Sequence, residues 1–187
     1  MLGMFPGNLI QRNPAWVEGA RVSMADRTNK TTGWGLAQRI NTWARLRDGE
    51  MSHGLIRQLF QTGIFPNLWD TCPPFQIDGN LGYTAGVAEI LLQSNLGYAD
   101  VLPALPEAWR TGSVKGLKAR GNFTFDFAWR DGRLTSLSVR SEGAKTLRLR
   151  LPAGQRPESD AALERDGDYL VYSFPEAGTL TLRFSMA

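Results

Sequence analysis

The chain has 187 residues, 42% hydrophobic, 21% charged and 10% aromatic, which is the make-up of an ordinary globular protein and excludes disordered, collagen-like and disulfide-stapled classes. Its net charge of +3 and pI near 9.3 come from basic residues scattered among 18 acids rather than gathered into a stripe, so nucleic acid is not an expected partner. One cysteine, Cys72, and one histidine, His53, leave no internal disulfide and no structural zinc; no metal or cofactor is expected, and no apolar run approaches the roughly 18 to 20 residues that cross a bilayer.

The first residues, "MLGMFPGNLIQRNPAW", lack a basic region followed by an apolar one, so they do not form a signal peptide. "MFPGN" is a turn that nothing precedes, and truncation from a longer parent is expected, with a secreted or periplasmic parent left open. From here to about residue 100 the apolar residues recur at helical spacing. Residues 14 to 27 form a first predicted helix, with Asn13 as cap, Pro14 in the first turn, and Trp16, Ala20 and Met24 on one side. Residues 33 to 48 form a second, with Thr31 and Thr32 as candidate caps, Leu36, Ile40, Trp43 and Arg47 on one side, and Gly49 as stop. A third runs from 52 to 62, opened by Ser52 and closed by Gly63, and a strongly apolar fourth from about 79 to 95. Gly82 and Gly86 lie four apart on it, where missing side chains would let another helix come close.

After residue 110 the period drops to two. In "NFTFDFAWRDGRLTSLSVRSEG", Phe123, Phe125 and Phe127 alternate with polar residues, Asp131-Gly132 supplies a turn, and Leu134, Leu137 and Val139 resume the pattern, which is a hairpin signature. "KTLRLRLP", "DYLVYSFPEAG" and "TLTLRFS" continue in the same manner, so an antiparallel sandwich is expected, with Arg148 and Arg150 on its solvated face. The predicted class is α+β, with helices over 1–100, a moderately stiff connection over 101–112 and a β domain over 113–187.

One stretch bears on chemistry. "CPPFQIDGNLGYTAGVAEILLQ" sets Asp78 between a stiff Pro73-Pro74 lead-in and an apolar helix. An Asp in that place is most often a cap for the orphan N–H groups of the first turn. The same donors, with the positive end of the helix dipole, would hold it ionised and ready to accept a proton. With Gly79 removing bulk beside it and Gln76 and Asn80 close in sequence, Asp78 could orient and deprotonate water. Hydrolysis of a glycosidic bond by inversion pairs such a base with a second, protonated carboxyl.

"FPGN", "TGWGLAQRINTWARLRDG", "PPFQIDGNLG", "AGVAEILLQS" and "LPALPEAWRTGSVKGLKARG" together resemble the C-terminal part of glycoside hydrolase family 95, a family of alpha-L-fucosidases with some alpha-L-galactosidases. The resemblance runs from about residue 2 to residue 142, in order. It implies helices from an (alpha/alpha)6, six-hairpin glycosidase barrel followed by a β domain, an inverting mechanism, and a fucosylated oligosaccharide or related glycan as partner. It also implies that the acid of "FQIDGN", Asp78, is the general base. Many members have histidine at Cys72, phenylalanine at Leu81 and serine at Gly35. The family's general-acid glutamate, two asparagines that help orient water and a His-Arg-His stretch all lie before the first residue of this sequence, so the chain by itself is expected to be inactive.

Other residues divide between site and scaffold. Trp34, Gln38, Asn41 and Arg45 share a helical face that either lines a sugar cleft or meets another element, and Trp34 joins Gln76 and Asn80 as a candidate for substrate binding. Trp16, Trp43, Trp69, Trp109 and Trp129 are expected to pack in cores, His53 to lie at the surface, and Glu89 to contact a neighbouring helix. Four helices from a larger barrel leave faces that invite self-association. The alternative function is a noncatalytic carbohydrate-binding or assembly module working through the sandwich.

Overall fold

The computed structural model describes residues 1–72 and 75–185; the Pro73-Pro74 lead-in lies outside the described residues. The chain forms two compact units, one of Met1–Leu91 with Pro103–Pro106, the other of Leu92–Leu102 with the chain from Glu107 onward. The class is α+β: among the described residues four α-helices are followed by two sheets.

In the first unit, α1 (Pro14–Ala25) starts as its sequence predicts, with the Asn13 side chain accepting the Ala15 N–H at 3.0 Å and Pro14 in the first turn. Ala20 and Met24 are buried, but Trp16 remains 52% exposed, contrary to the expectation that it packs inward. Helix α2 (Gly33–Arg45) stops short of Gly49, because Arg47 turns into the left-handed region at φ 60° and Asp48 then caps α3 (Gly49–Thr62) by accepting the Met51 N–H at 3.0 Å. Ser52, expected to open α3, is instead buried inside it, and its hydroxyl donates to the Ile40 and Asp48 carbonyls. Gly63 closes the helix as predicted.

Helix α4 (Ile77–Leu91) ends before position 95, and Leu92–Gln93 and Ala99–Val101 form strands of the other unit. Pro103–Pro106 belongs to the helical unit, where the Ala104 N–H donates to the Ile90 carbonyl at 3.3 Å. The pairings of α2 with α4 rise together along both helices. A methyl on Gly82 would meet Ala37 and Trp34, one on Gly86 would meet Ile40 and Asn41, and Arg45 reaches Glu89. The two helices therefore run parallel and close, and the small residues of α4 supply the room, as their spacing suggested. Asn41, fully buried, strengthens the seam by donating to the Ala37 and Gly82 carbonyls, both at 2.8 Å.

In the second unit one sheet has the order β1 (Leu92–Gln93), β2 (Ala99–Val101), β6 (Lys145–Arg150), β8 (Tyr169–Phe174), β7 (Glu164–Asp166). The other has β3 (Gly112–Ala119), β4 (Phe123–Arg130), β5 (Arg133–Ser141) and β9 (Gly178–Arg183), all antiparallel. Asp131-Gly132 forms the predicted tight turn between β4 and β5, both residues at positive φ. Phe123, Phe125, Phe127 and Trp129 are buried, and Phe123 meets Phe174 of the other sheet with ring centroids 6.0 Å apart. Pair β2–β6 runs parallel, which the intervening three strands of the second sheet permit as a long crossover. Arg148 lies on the exposed side, paired with Asp166 at 2.9 Å, while Leu147 and Leu149 face the core.

Candidate active site

The segment before α4 is a tight hairpin. The Thr71 N–H donates to the Gly63 carbonyl at 2.8 Å, the Phe65 N–H to the Trp69 carbonyl at 2.8 Å, and Ile64 bridges Asp70. This fold turns Asp70 inward, where it is fully buried, and leaves Leu68, at φ 69°, and Trp69 outside. Trp69 is 54% exposed and stacks on Phe75 with centroids 4.6 Å apart, so it covers the hairpin rather than a core.

Asp78 falls inside the first turn of α4, one residue past Ile77. It was expected in front of the helix as a cap; the structure makes it a first-turn residue instead, with an exposed side chain. Among the described residues no hydrogen bond or ion pair holds its carboxylate. Its neighbours are held. The Gln76 N–H donates to Asp70 Oδ1 at 3.1 Å, although the Gln76 side chain is exposed. Asn80 uses both ends of its amide on the hairpin, with Oδ1 accepting the Asp70 N–H at 3.1 Å and Nδ2 donating to the Leu68 carbonyl at 2.6 Å.

Trp34 is half-buried, its six-membered ring edge against Gly82, one helical turn beyond Asp78 and on the same side of α4. Asp78, Gln76, Asn80 and Trp34 thus cluster around the amino-terminal half of α4. Asn41 and Arg45, which share a helical face with Trp34, do not line a cleft: both are buried in the α2–α4 seam, where Arg45 is paired with Glu89. Asp70 has no signature of its own in the sequence; Gly33 and Gly79, in the first turns of two helices, are the signal for the carboxylate that stands between them.

Elsewhere, a cavity of about 280 Å³ in the β unit is lined by Arg150, Gln155, Arg165 and Asp168 among others. Burial works against the Arg150 guanidinium, but the Asp100 carboxylate and Tyr98 beside it prevail and raise its pKa above the ordinary arginine value. None of the four candidate residues lines that cavity.

Residues 1–91 match the glycosyl hydrolase family 95 catalytic domain, and residues 93–182 match the glycoside hydrolase family 95 C-terminal domain. Alpha-L-fucosidase 2 of Arabidopsis thaliana is 32% identical over 163 residues, covering 80% of this chain and 19% of that protein. A probable alpha-fucosidase A of Aspergillus niger is 26% identical over 186 residues, covering 83% of the chain and 23% of that protein. Its counterpart in Aspergillus oryzae is 37% identical over 114 residues, covering 52% and 16%. The chain spans about a fifth of the length of these curated relatives. With two successive domains of one family accounting for nearly all of its residues, and a helical unit followed by a β unit in the same order, the chain belongs to glycoside hydrolase family 95.

Proposed function

We propose that this chain contributes the general base, Asp78, to an inverting alpha-L-fucosidase of family length whose substrate is a fucosylated oligosaccharide or related glycan. One observation carries the reading: the Asp78 carboxylate is exposed and unengaged among the described residues while the backbone and side chains on either side of it are tied to the Asp70 hairpin. A base that takes a proton from water needs an oxygen not already satisfied, on a support that does not move. In this reading the water oxygen attacks the anomeric carbon as Asp78 accepts its proton. A second carboxyl protonates the departing glycosidic oxygen, and the sugar is released with inverted configuration.

The four helices are a portion of the six-hairpin catalytic barrel, and the β unit is the C-terminal domain that follows it. Gln76, Asn80 and Trp34 contribute to substrate binding. The general acid belongs to a segment outside this sequence. Lack of the acid alone costs about a hundred- to ten-thousand-fold in rate, so the chain by itself is expected to be inactive. The test is Asp78→Asn in the family-length polypeptide, assayed on a fucosyl-alpha-1,2-galactoside. Turnover should fall about a hundred- to ten-thousand-fold, and unchanged turnover would remove Asp78 from the mechanism.

A second reading, a noncatalytic glycan-binding module, draws support from the cavity bounded by Arg150, Arg165 and Asp168, whose charged groups could hydrogen-bond sugar hydroxyls. Calorimetry of the whole chain with fucosylated glycans tests it: heat of binding that Arg165→Ala removes would favour the module.

A further inference from the structure

Asp70 lies within the helical unit with a side chain that is fully buried. One oxygen, Oδ1, accepts the Gln76 N–H at 3.1 Å. The other, Oδ2, has no hydrogen-bond partner among the described residues. It stands between Gly33, the first residue of α2, and Gly79, in the first turn of α4, and a Cβ on either glycine would run into it. A buried polar oxygen without a donor carries a desolvation cost, so a fold that retains one calls for a reason.

The parallel run of α2 and α4 supplies one. It sets two amino-terminal ends side by side, each carrying partial positive charge, and a carboxylate wedged between them offsets their repulsion. Asp70 also grips the chain on both sides of position 78. Its Oδ1 accepts the Gln76 N–H, its Oδ2 fills the space a Cβ on Gly79 would need, and its own N–H donates to Asn80 Oδ1.

We propose that Asp70 is a positioning residue for the hydrolytic reaction. Its buried carboxylate locks residues 76–80 against the amino end of α2 and so fixes the place from which Asp78 addresses water. Gly33 and Gly79 belong to the same device, since only a missing side chain leaves room for the carboxylate. The inference rests on the reading of Asp78 as base.

A kinetic cycle in the family-length polypeptide tests it, using wild type, Asp70→Asn, Asp78→Asn and the double variant, with folding followed by circular dichroism. Asp70→Asn should lower kcat about a hundred-fold, the scale of an ångström-sized misplacement, with KM changed far less. In the Asp78→Asn background the same substitution should cost almost nothing further, because a residue acting through Asp78 has nothing left to position. Losses that multiply in the double variant would mark Asp70 as a purely structural residue and overturn the proposal, as would an Asp70→Asn enzyme with full kcat. If Asp70→Asn fails to fold, Asp70→Ser, which keeps a hydroxyl for the Gln76 N–H, takes its place in the cycle under the same criteria. Full activity of Asp78→Asn alone would defeat the base assignment and this inference together. A silent Asp70 beside an essential Asp78 would defeat this inference only.

Discussion

Arg45 of α2 and Glu89 of α4 form a two-pronged ion pair, Nε to Oε2 at 3.1 Å and Nη2 to Oε1 at 2.8 Å, at the carboxyl-terminal ends of two parallel helices. The guanidinium also donates to the carbonyls of Met4, Pro6 and Gly7 and lies 4.9 Å from the centre of the Phe5 ring, so it ties the amino-terminal turn to the helix pair. Asp70 stands at the opposite end of the seam, where both dipoles are positive.

The Arg45 side chain is only 3% exposed, and its loss would take the guanidinium from a mostly buried Glu89 and from three carbonyl oxygens. Arg45→Met is expected to destabilise the chain by about 3 to 5 kcal/mol, the range for breaking a buried pair from one side. Adding Glu89→Leu should recover part of that loss, because the buried carboxylate that lost its guanidinium disappears with it. Urea unfolding of the two variants decides; equal midpoints would mean that Glu89 costs nothing once Arg45 is removed.

Glycines of α4 and α3 should respond to alanine with opposite signs. At Gly86 a methyl would stand 2.5 Å from Ile40 Cγ2, so the gain of about 1 kcal/mol in helix propensity is outweighed by overpacking. At Gly54, inside α3, nothing lies within 4 Å, and Gly54→Ala should stabilise by about 1 kcal/mol. Denaturant midpoints of the two variants check the contrast; a stabilising Gly86→Ala would mean that α2 and α4 are not in close contact in solution.

Ile77 and Leu81, 52% and 62% exposed, lie four residues apart on α4, and Leu68 and Phe65 of the hairpin are 66% and 47% exposed. Apolar surface of this kind favours association. The isolated chain is expected to elute in size-exclusion chromatography as concentration-dependent oligomers, and Leu81→Lys should shift the profile toward monomer. A monomer at all concentrations would remove self-association from the account.

Much of the framework was legible in the residues themselves. The helical spacing before residue 100 and the period of two after residue 110 predicted the helix-to-strand order, and Asn13-Pro14, Gly63 and Asp131-Gly132 marked one helix start, one helix end and one hairpin turn. These are local effects, decided by φ, capping groups and a few neighbouring residues. The small residues of α4 likewise announced a close helix neighbour before its identity was known.

What tertiary structure alone decided was how each face is used. Spacing put Trp34, Asn41 and Arg45 on one side of α2, but Asn41 finds the Gly82 carbonyl 41 positions away and Arg45 finds Glu89 44 positions away, which turns those two into the seam and leaves Trp34 at its edge. Trp16 and Trp69, large enough to anchor a core, stay half outside. Asp70 became a buried carboxylate only when the hairpin carried it between two glycines 46 positions apart in sequence, 33 and 79. Periodicity fixes which side chains look the same way; only the meeting of distant segments supplies the partners that a buried polar group requires.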